Sequence, residues 1–270
     1  MAIRLVAVLR GDMFRAVLLI PYFGPFPKWF DLFLLTAARN PDYRFLIYTD
    51  QTPVAEAANI EWRASSLEQV RQRIATTIGV QMSPRASSYK LCDFRPCYGE
   101  IFADDISEPF WGHADIDIVW GRLSHFLTPP VFDHDIISAQ PTGICGPFTL
   151  YRNTHRINSF YRGAPGVGEI LRDEKHVGFD EIIFSEFVKG QDIYHGRHGH
   201  SENRAGHIYR QGRVLRVGIK ESVREFFNPG SRERMFFHFR TWKAGMRYDF
   251  DPKDVLGWQF GPERLTPINT

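Results

Sequence analysis

The first half of the chain alternates short apolar runs with longer segments of helical composition, and no other sequence feature restricts the fold as strongly. Residues 17–20 are apolar and are stopped by Pro21, which predicts a buried strand. A helical segment over 28–39 and a second strand over 44–49 follow. This alternation predicts an α/β fold with a mostly parallel sheet and helices on both faces. Ligands of such sheets bind beyond the carboxyl ends of the strands.

Capping residues and prolines predict the remaining elements. Residues 66–78 predict a helix with Ser65 or Ser66 as its cap and Glu68 in its first turn. Residues 88–103 predict a helix that is kinked or broken at Pro96. Since no repeat or Gly/Ser linker interrupts the chain, one domain over 1–270 is predicted. Further strands are predicted at 109–120, 135–138, 148–152, 214–219 and 235–239, and a further helix at 179–188.

Composition narrows the class of protein. The chain is 43% hydrophobic and 24% charged, which is typical of a globular domain. A net charge of +2 is too small to indicate a nucleic-acid partner. The three cysteines are an odd number without zinc-type spacing, which favours a reduced, cytoplasmic protein. The most apolar stretch, 29–38, is about half the length that crosses a bilayer.

Positive charge is concentrated late in the chain. Between Arg210 and Arg247 there are ten Lys or Arg residues and three Glu. One hypothesis is that this stretch meets phosphates or an anionic membrane surface, as a peripheral contact. The alternative is a solvated face with extended arginines, and the sequence leaves both open.

An acidic pair within the apolar segment 111–120 is the most informative motif. Asp115 and Asp117 lie two residues apart, so on an extended segment their side chains point to the same side. Two adjacent carboxylates at the edge of a core are unfavourable unless a cation or hydrogen-bond donors compensate their charge. A hard divalent ion such as Mn²⁺ or Mg²⁺ suits oxygen ligands, and a diphosphate completes its shell. His113 either supports this site or packs against the strand.

A second motif lies within 89–99. Lys90 and Asp93 are three residues apart and share one face of a helix. Lysine suits phosphate, and aspartate accepts hydrogen bonds from ribose or sugar hydroxyls. The alternative is an exposed i, i+3 ion pair that contributes a few tenths of a kcal/mol.

Several segments together resemble a group of bacterial GT-A-like glycosyltransferases from capsule and surface-polysaccharide gene clusters. The resemblance extends over about 17–160, and 179–181 and 237–239 resemble later landmarks of the group. The Lys-x-x-Asp motif of Lys90 and Asp93, which precedes the D-x-D segment in the chain, is also similar to the corresponding motif in the wider class of D-x-D sugar transferases. The segments that carry the resemblance are 20–24 with Pro27, 45–50, 89–96 with 98–99, 110–117 and 146–153.

The resemblance implies a GT-A-like (Rossmann-like) fold and a set of roles. The nucleotide-sugar half would be about 1–125, and the acceptor side about 126–270. The donor would be a nucleotide-sugar, with UDP as its nucleotide. The acceptor would be a glycan or lipid-linked saccharide at the inner face of the plasma membrane. The donor-binding residues would be Pro21, Tyr22, Phe23, Gly24, Asp50, Lys90, Asp93 and Asp115, and the metal ligands Asp115, Asp117 and His238.

An inverting transfer also needs a base for the acceptor hydroxyl. Asp180 and Glu181 are the candidates, because they follow the core strands near a predicted helix start. Their alternative role is that of first-turn acids favoured by the helix dipole. A retaining enzyme needs no such base, and the sequence leaves the stereochemistry open.

Two other classes of protein compete with this interpretation. A metal-dependent nucleotidyl- or phosphotransferase also uses paired aspartates, but no glycine-rich phosphate loop is present. A non-catalytic carbohydrate-binding protein on a transferase fold is the other alternative. The histidine-rich segment 195–200 has no counterpart in the resembled group and is interpreted either as a metal-binding tract or as a surface loop.

Overall fold

The computed structural model gives the fold of most of the chain. The described residues are 14–196, 200–202, 206–211, 214–218, 233–240, 243, 246–251, 254–255, 257–260 and 264–268. Much of the basic stretch 210–247 and part of the histidine-rich segment 195–200 lie outside them, so both interpretations stay predictions. None of the helices among the described residues has the length and apolar character that a membrane crossing requires.

A seven-stranded sheet carries most of the structure, in the order β3-β2-β1-β4-β7-β6-β8. The pairs β1–β2, β2–β3, β1–β4 and β6–β8 are parallel, while β7 runs antiparallel to β4 and β6. This confirms the α/β class and the mostly parallel sheet. The strands are β1 Ala16–Pro21, β2 Tyr43–Thr49, β3 Ile60–Ala64, β4 Phe110–Ala114, β6 Ile136–Ser138, β7 Phe148–Arg152 and β8 Ile193–His195.

Helices cover both faces of this sheet, as its apolar strands require. Leu19 of β1 packs in a cluster with Ile74, while Leu18 packs on the opposite face with Phe33. The α-helices are Phe30–Ala37, Leu67–Ile78, Tyr98–Ile101, Leu123–Phe126, His155–Asn158, Val167–Arg172 and Phe184–Phe187. The 3₁₀ segments are Ser88–Cys97, Ala103–Asp105, Pro129–Asp133 and Phe160–Gly163, and Phe179–Ile183 is a π-helical turn.

The helix Leu67–Ile78 follows directly from its sequence. Ser66 Oγ accepts a 3.2 Å hydrogen bond from the Gln69 amide, and Gln69 Oε1 accepts one of 2.7 Å from the Ser66 amide. This reciprocal capping box fixes the start of the helix. Gly79 ends it at φ +72°, a left-handed conformation that suits glycine.

Two predicted elements differ from the structure. The predicted helix 88–103 is 3₁₀ over Ser88–Cys97, with only one α-helical turn after it. Pro96 lies inside the 3₁₀ segment and has no amide hydrogen to extend an α-helical ladder. The predicted strand 109–120 is broken at Asp115–Asp117, because residues 110–114 pair with 148–152 in the seven-stranded sheet, whereas residues 118–120 pair with 236–238 in a different sheet.

The break at Asp115–Asp117 passes the chain into a second, three-stranded sheet of order β5-β13-β9. These strands are β5 Ile118–Trp120, β9 His200–Glu202 and β13 Phe236–His238. A five-stranded antiparallel sheet contains β10 Gly206–Gln211, β11 Val214–Gly218, β12 Glu233–Arg234, β14 Gly257–Phe260 and β15 Leu265–Ile268. Pairing of β13 with β5 aligns His238 with Ile118, one residue beyond the acidic pair.

Candidate functional site

A cavity of about 640 Å³ opens beyond the carboxyl ends of β1 and β4. This is the edge at which the sheet topology predicts a ligand site. The loop after β1, the 3₁₀ segment 88–97 and the turn after β4 all contribute to the lining. Among the lining residues are Pro21, Tyr22, Phe23, Pro27, Tyr89, Arg95, His113, Asp115, Asp117, Asp180, Glu181, His238, Arg240 and Lys243.

Three potential metal ligands converge on one wall of this cavity. Asp115, Asp117 and His238, here called the acidic cluster, each offer one ligand atom, and these atoms lie within 4.8 Å of one another. His238 Nε2 lies 3.3 Å from Asp117 Oδ1 and 3.7 Å from Asp115 Oδ2. The bend between β4 and β5 therefore brings both carboxylates toward His238, which β13 supplies.

The remaining oxygen of each carboxylate faces a protein cation. Arg95 donates to Asp115 Oδ1, and Lys243 Nζ donates to Asp117 Oδ2 at 2.8 Å. The oxygens nearer His238, Asp115 Oδ2 and Asp117 Oδ1, thus point to the same place as the imidazole. Two carboxylate oxygens and one imidazole nitrogen form a donor set that suits Mn²⁺, with remaining positions available to water or a diphosphate.

The surroundings of Asp117 favour the ionised form of its carboxyl. Burial works to raise the pKa of its carboxyl, but His238 and the ammonium of Lys243 outweigh burial and hold the pKa below its ordinary value. The carboxyl is only 6% exposed, whereas the side chain of Lys243 is 45% exposed. Asp117 is therefore ionised at neutral pH, the state that a metal ligand needs.

Arg95 joins the acidic cluster to Asp180. Besides Asp115, its guanidinium bonds Asp180 Oδ2 at 2.9 Å and the Gly146 carbonyl at 3.0 Å. Burial raises the pKa of Asp180 to about 6, against the opposing charge of Arg95. Sequence reasoning missed Arg95, although an arginine between the apolar Phe94 and Pro96 was the available signal.

Glu181 lies beside Asp180 but in a different environment. It is exposed and lines the cavity, while Asp180 is buried. Its carboxylate rests against Gly146, where an added Cβ would come within 1.7 Å of Glu181 Oε1. A glycine at 146 therefore makes room for this carboxylate at the cavity wall.

Lys90 and Asp93 are placed differently from the expectation. Neither side chain has any exposed surface, and Lys90 Nζ bonds Asp93 Oδ2 at 2.8 Å. Lys90 also donates to the carbonyls of Ile170 and Lys175, and Asp93 Oδ1 accepts from the Phe179 amide at 2.8 Å. Neither residue lines the cavity. The pair thus anchors the segment before Asp180 as a buried ion pair, which differs from the exposed ion pair of the alternative.

The loop after β1 forms the aromatic side of the cavity. Tyr22 stacks on Phe26 at 5.7 Å, and Phe26 stacks on Phe30 at 4.4 Å between ring centroids. Gly24 turns this loop at φ +100°, and its amide donates to Asp50 Oδ1 at 3.0 Å. Asp50 is exposed and outside the cavity lining, so in this structure it holds the loop that Pro21, Tyr22 and Phe23 belong to.

His113 is a buried member of the lining that the sequence suggested only as a supporting residue. Its side chain is almost fully inaccessible to solvent, with the residue 1% exposed. Burial, with a contribution from the charge of Arg95, lowers the pKa of its imidazole well below the ordinary value, and the Gly146 backbone opposes this only in part. The ring is therefore neutral at physiological pH.

Comparison with known proteins identifies the family of this chain but does not indicate an activity. The model of a family of unknown function, DUF6625, matches residues 18–201, and the chain belongs to that family. No curated protein matches the chain. The matched range includes Arg95, Asp115, Asp117 and Asp180, whereas His238 and Lys243 lie beyond it.

Proposed function

We propose that this member of the family is a divalent-cation-dependent glycosyltransferase of the GT-A type, which transfers a sugar from a nucleoside-diphosphate sugar to a saccharide acceptor. The observation that carries the proposal is the convergence of Asp115 Oδ2, Asp117 Oδ1 and His238 Nε2 on one cavity wall. Such a set suits Mn²⁺ or Mg²⁺ with a diphosphate as a further ligand. The sheet order β3-β2-β1-β4 and the strand-end position of the cavity are compatible with this fold type.

The cavity has the size and distribution of groups that a nucleotide-sugar requires. Its volume of about 640 Å³ falls within the usual range for small-molecule sites. Tyr22 and Phe23 offer an apolar surface for a base, and UDP is the nucleotide that we expect by resemblance. Arg240 and Lys243 add positive charge on the side of the acidic cluster, where a diphosphate would lie.

The metal ion and the protein would contribute different parts of the transfer reaction. Asp115, Asp117 and His238 would hold a divalent ion, which would stabilise the negative charge on the departing diphosphate. Lys243 and Arg240 add electrostatic stabilisation from the protein. In an inverting transfer, the oxygen of the acceptor hydroxyl forms a bond to the anomeric carbon, and Glu181 takes the proton of that hydroxyl. The bond between the anomeric carbon and the diphosphate oxygen breaks at the same time. We favour Glu181 over Asp180 because it is exposed and Asp180 is bonded to Arg95.

Thermal unfolding with Mn²⁺ and a panel of nucleoside diphosphates tests the proposal. We expect one nucleotide to raise the midpoint in a metal-dependent way, because a ligand that binds only the folded state stabilises it. Asp115→Asn/Asp117→Asn should abolish this rise and weaken Mn²⁺ binding by at least about 100-fold, since even outer-shell changes cost 10–100-fold. Asp104→Asn, which neutralises an exposed acid outside the lining, serves as the control and should change neither.

Other results would point to the competing classes. A midpoint that no nucleotide raises with either Mn²⁺ or Mg²⁺ would contradict the proposal. Stabilisation by saccharides alone would favour a carbohydrate-binding protein. Transfer of phosphate or nucleotide, detected by mass spectrometry of the products, would favour a phospho- or nucleotidyltransferase. Synthesis of a surface polysaccharide at the inner membrane face remains our prediction for the biological setting.

A further inference from the structure

Two buried polar groups in the cavity lack hydrogen-bond partners among the described residues. Asp180 Oδ1 has no partner, although Oδ2 of the same carboxylate bonds Arg95. Neither ring nitrogen of His113 meets a partner in full hydrogen-bond geometry, although the Gly146 backbone lies near the ring. Both side chains line the cavity and both residues are about 1% exposed. Buried polar atoms are nearly always paired in folded proteins, so these two require an explanation.

The chemistry of the two groups defines what would satisfy them. An ionised carboxylate only accepts hydrogen bonds, while a neutral imidazole donates through one nitrogen and accepts through the other. Hydroxyl groups can meet both, because each hydroxyl donates one hydrogen bond and accepts others. A phosphate is a poor partner here, since Asp180 and the adjacent Glu181 would repel its charge.

We propose that His113 and Asp180 form a subsite that binds hydroxyl groups of the donor's sugar ring, an inference that rests on the proposed glycosyl transfer. Arg95 fixes the subsite relative to the acidic cluster, because it bonds both Asp180 and Asp115. In a bound nucleotide-sugar the sugar is attached to the diphosphate, so it would lie next to the acidic cluster. Asp180 is thus assigned to sugar recognition, and Glu181 to the acceptor hydroxyl.

The fixed position of Asp180 supports a recognition role. Its carboxylate is held through Oδ2 by Arg95, whose side chain is only 11% exposed, and Oδ1 has no partner among the described residues. The backbone just before it is anchored by Asp93, which accepts from the amides of Val177 and Phe179. A hydrogen-bond acceptor held in this way loses little freedom when a ligand binds.

Isothermal titration with Mn²⁺ present tests the subsite on His113→Phe. The probes are UDP, UDP-glucose, UDP-galactose and UDP-N-acetylglucosamine, with GDP and GDP-mannose as a second nucleotide series. Phenylalanine keeps the ring but removes both nitrogens, so nucleotide binding should change less than about twofold. For the preferred sugar nucleotide we expect about tenfold weaker binding, the usual consequence of losing a hydrogen bond.

Tyr151→Phe provides the matched control. The Tyr151 hydroxyl is also buried without a partner among the described residues, but Tyr151 does not line the cavity. Its ring lies 6.1 Å from that of His113, so the control probes the same neighbourhood. It should leave the affinities of both the nucleoside diphosphate and the sugar nucleotide unchanged.

Each outcome decides between the subsite and its alternatives. Equal losses for the nucleoside diphosphate and the sugar nucleotide in His113→Phe would overturn the subsite and leave the proposed function standing. Unchanged affinity for both would show that water alone occupies the two groups, and would also overturn it. Absence of nucleotide binding in the wild-type protein would overturn the proposed function and the subsite together. If His113→Phe does not fold, Asp180→Asn tests the same selective loss.

Discussion

Asp93 and Asp117 are both buried aspartates that accept a hydrogen bond of 2.8 Å from a lysine, yet their surroundings differ. The second oxygen of Asp93 accepts from the Phe179 amide, and its lysine, Lys90, has no exposed surface. The second oxygen of Asp117 faces His238 at the cavity, and its lysine, Lys243, is 45% exposed.

This difference separates a structural carboxylate from a candidate ligand. Burial and a lysine partner are common to both, so neither property identifies a site. What distinguishes Asp117 is an oxygen that lies 3.3 Å from another potential ligand, His238 Nε2. The oxygens of Asp93 instead accept from its lysine and from backbone amides, and the His176 ring lies 3.0 Å from Oδ1.

Replacing each lysine with methionine gives the largest expected difference between the two regions. Lys90→Met should lower the free energy of unfolding by roughly 3–5 kcal/mol, because it leaves a buried carboxylate without its counter-charge. Lys243→Met should cost less than about 1 kcal/mol, because a partly exposed lysine gains little from its pair. Urea unfolding at pH 7 measures both. Equal losses would show that the two pairs have the same role.

The pH dependence of stability tests Asp180, which Arg95 links to the acidic cluster. The pKa of Asp180 is raised to about 6 in the folded protein by burial, while in the unfolded chain it is ordinary. Between these values the folded state binds more protons than the unfolded state, so this carboxyl lowers stability as pH rises from about 4 to 6. The expected loss is on the order of 2 kcal/mol.

Asp180→Asn removes this titration. The free energy of unfolding of the variant, measured by urea at half-unit pH steps, should lack the decrease that Asp180 contributes between about pH 4 and 6. The comparison uses the difference between wild type and variant, because other carboxyls titrate in the same range in both proteins. A difference that does not change across this range would show that the folded-state pKa of Asp180 is not raised.

A smaller effect than those of Lys90 and Asp180 is expected at Ser66, which belongs to neither region. Ser66→Ala removes the capping oxygen that accepts from the Gln69 amide and should cost about 1 kcal/mol of stability. Mn²⁺ and nucleotide affinities should not change, because Ser66 does not line the cavity. A change in either affinity would mean that small losses of stability alone alter the site, and the effects at Asp117 would need to be corrected for this.

Local signals in the sequence were sufficient for the parallel half of the sheet. The apolar run 17–20 and the cap at Ser66 fix a strand and a helix with little dependence on distant residues. The edge strand Ile60–Ala64 was missed, because its alternation is short and includes charged residues at 61 and 63. The antiparallel partners of β4 and β5 depend on pairing with distant segments, which local patterns do not reveal.

The candidate site was predictable in part for the same reason. Asp115 and Asp117 stood out because apolar residues flank them, and His238 entered through resemblance to a family. Arg95 was not anticipated, since its importance depends on Asp180 lying beside it in space. Lys90 and Asp93 were assigned to the donor by resemblance, and their burial was not predicted because i, i+3 spacing describes an exposed pair and a buried pair equally well.

The bend at Asp115–Asp117 has a mechanical consequence. It joins the seven-stranded sheet to the three-stranded one. The strand β13, which ends at His238 and lies more than 100 residues later in the sequence, pairs with β5 directly after this bend. A ligand bound by Asp115, Asp117 and His238 together would act as a reversible cross-link between these sheets. Resistance to proteolysis near β13 should then increase with the concentration of free Mn²⁺ and decrease when a chelator is added.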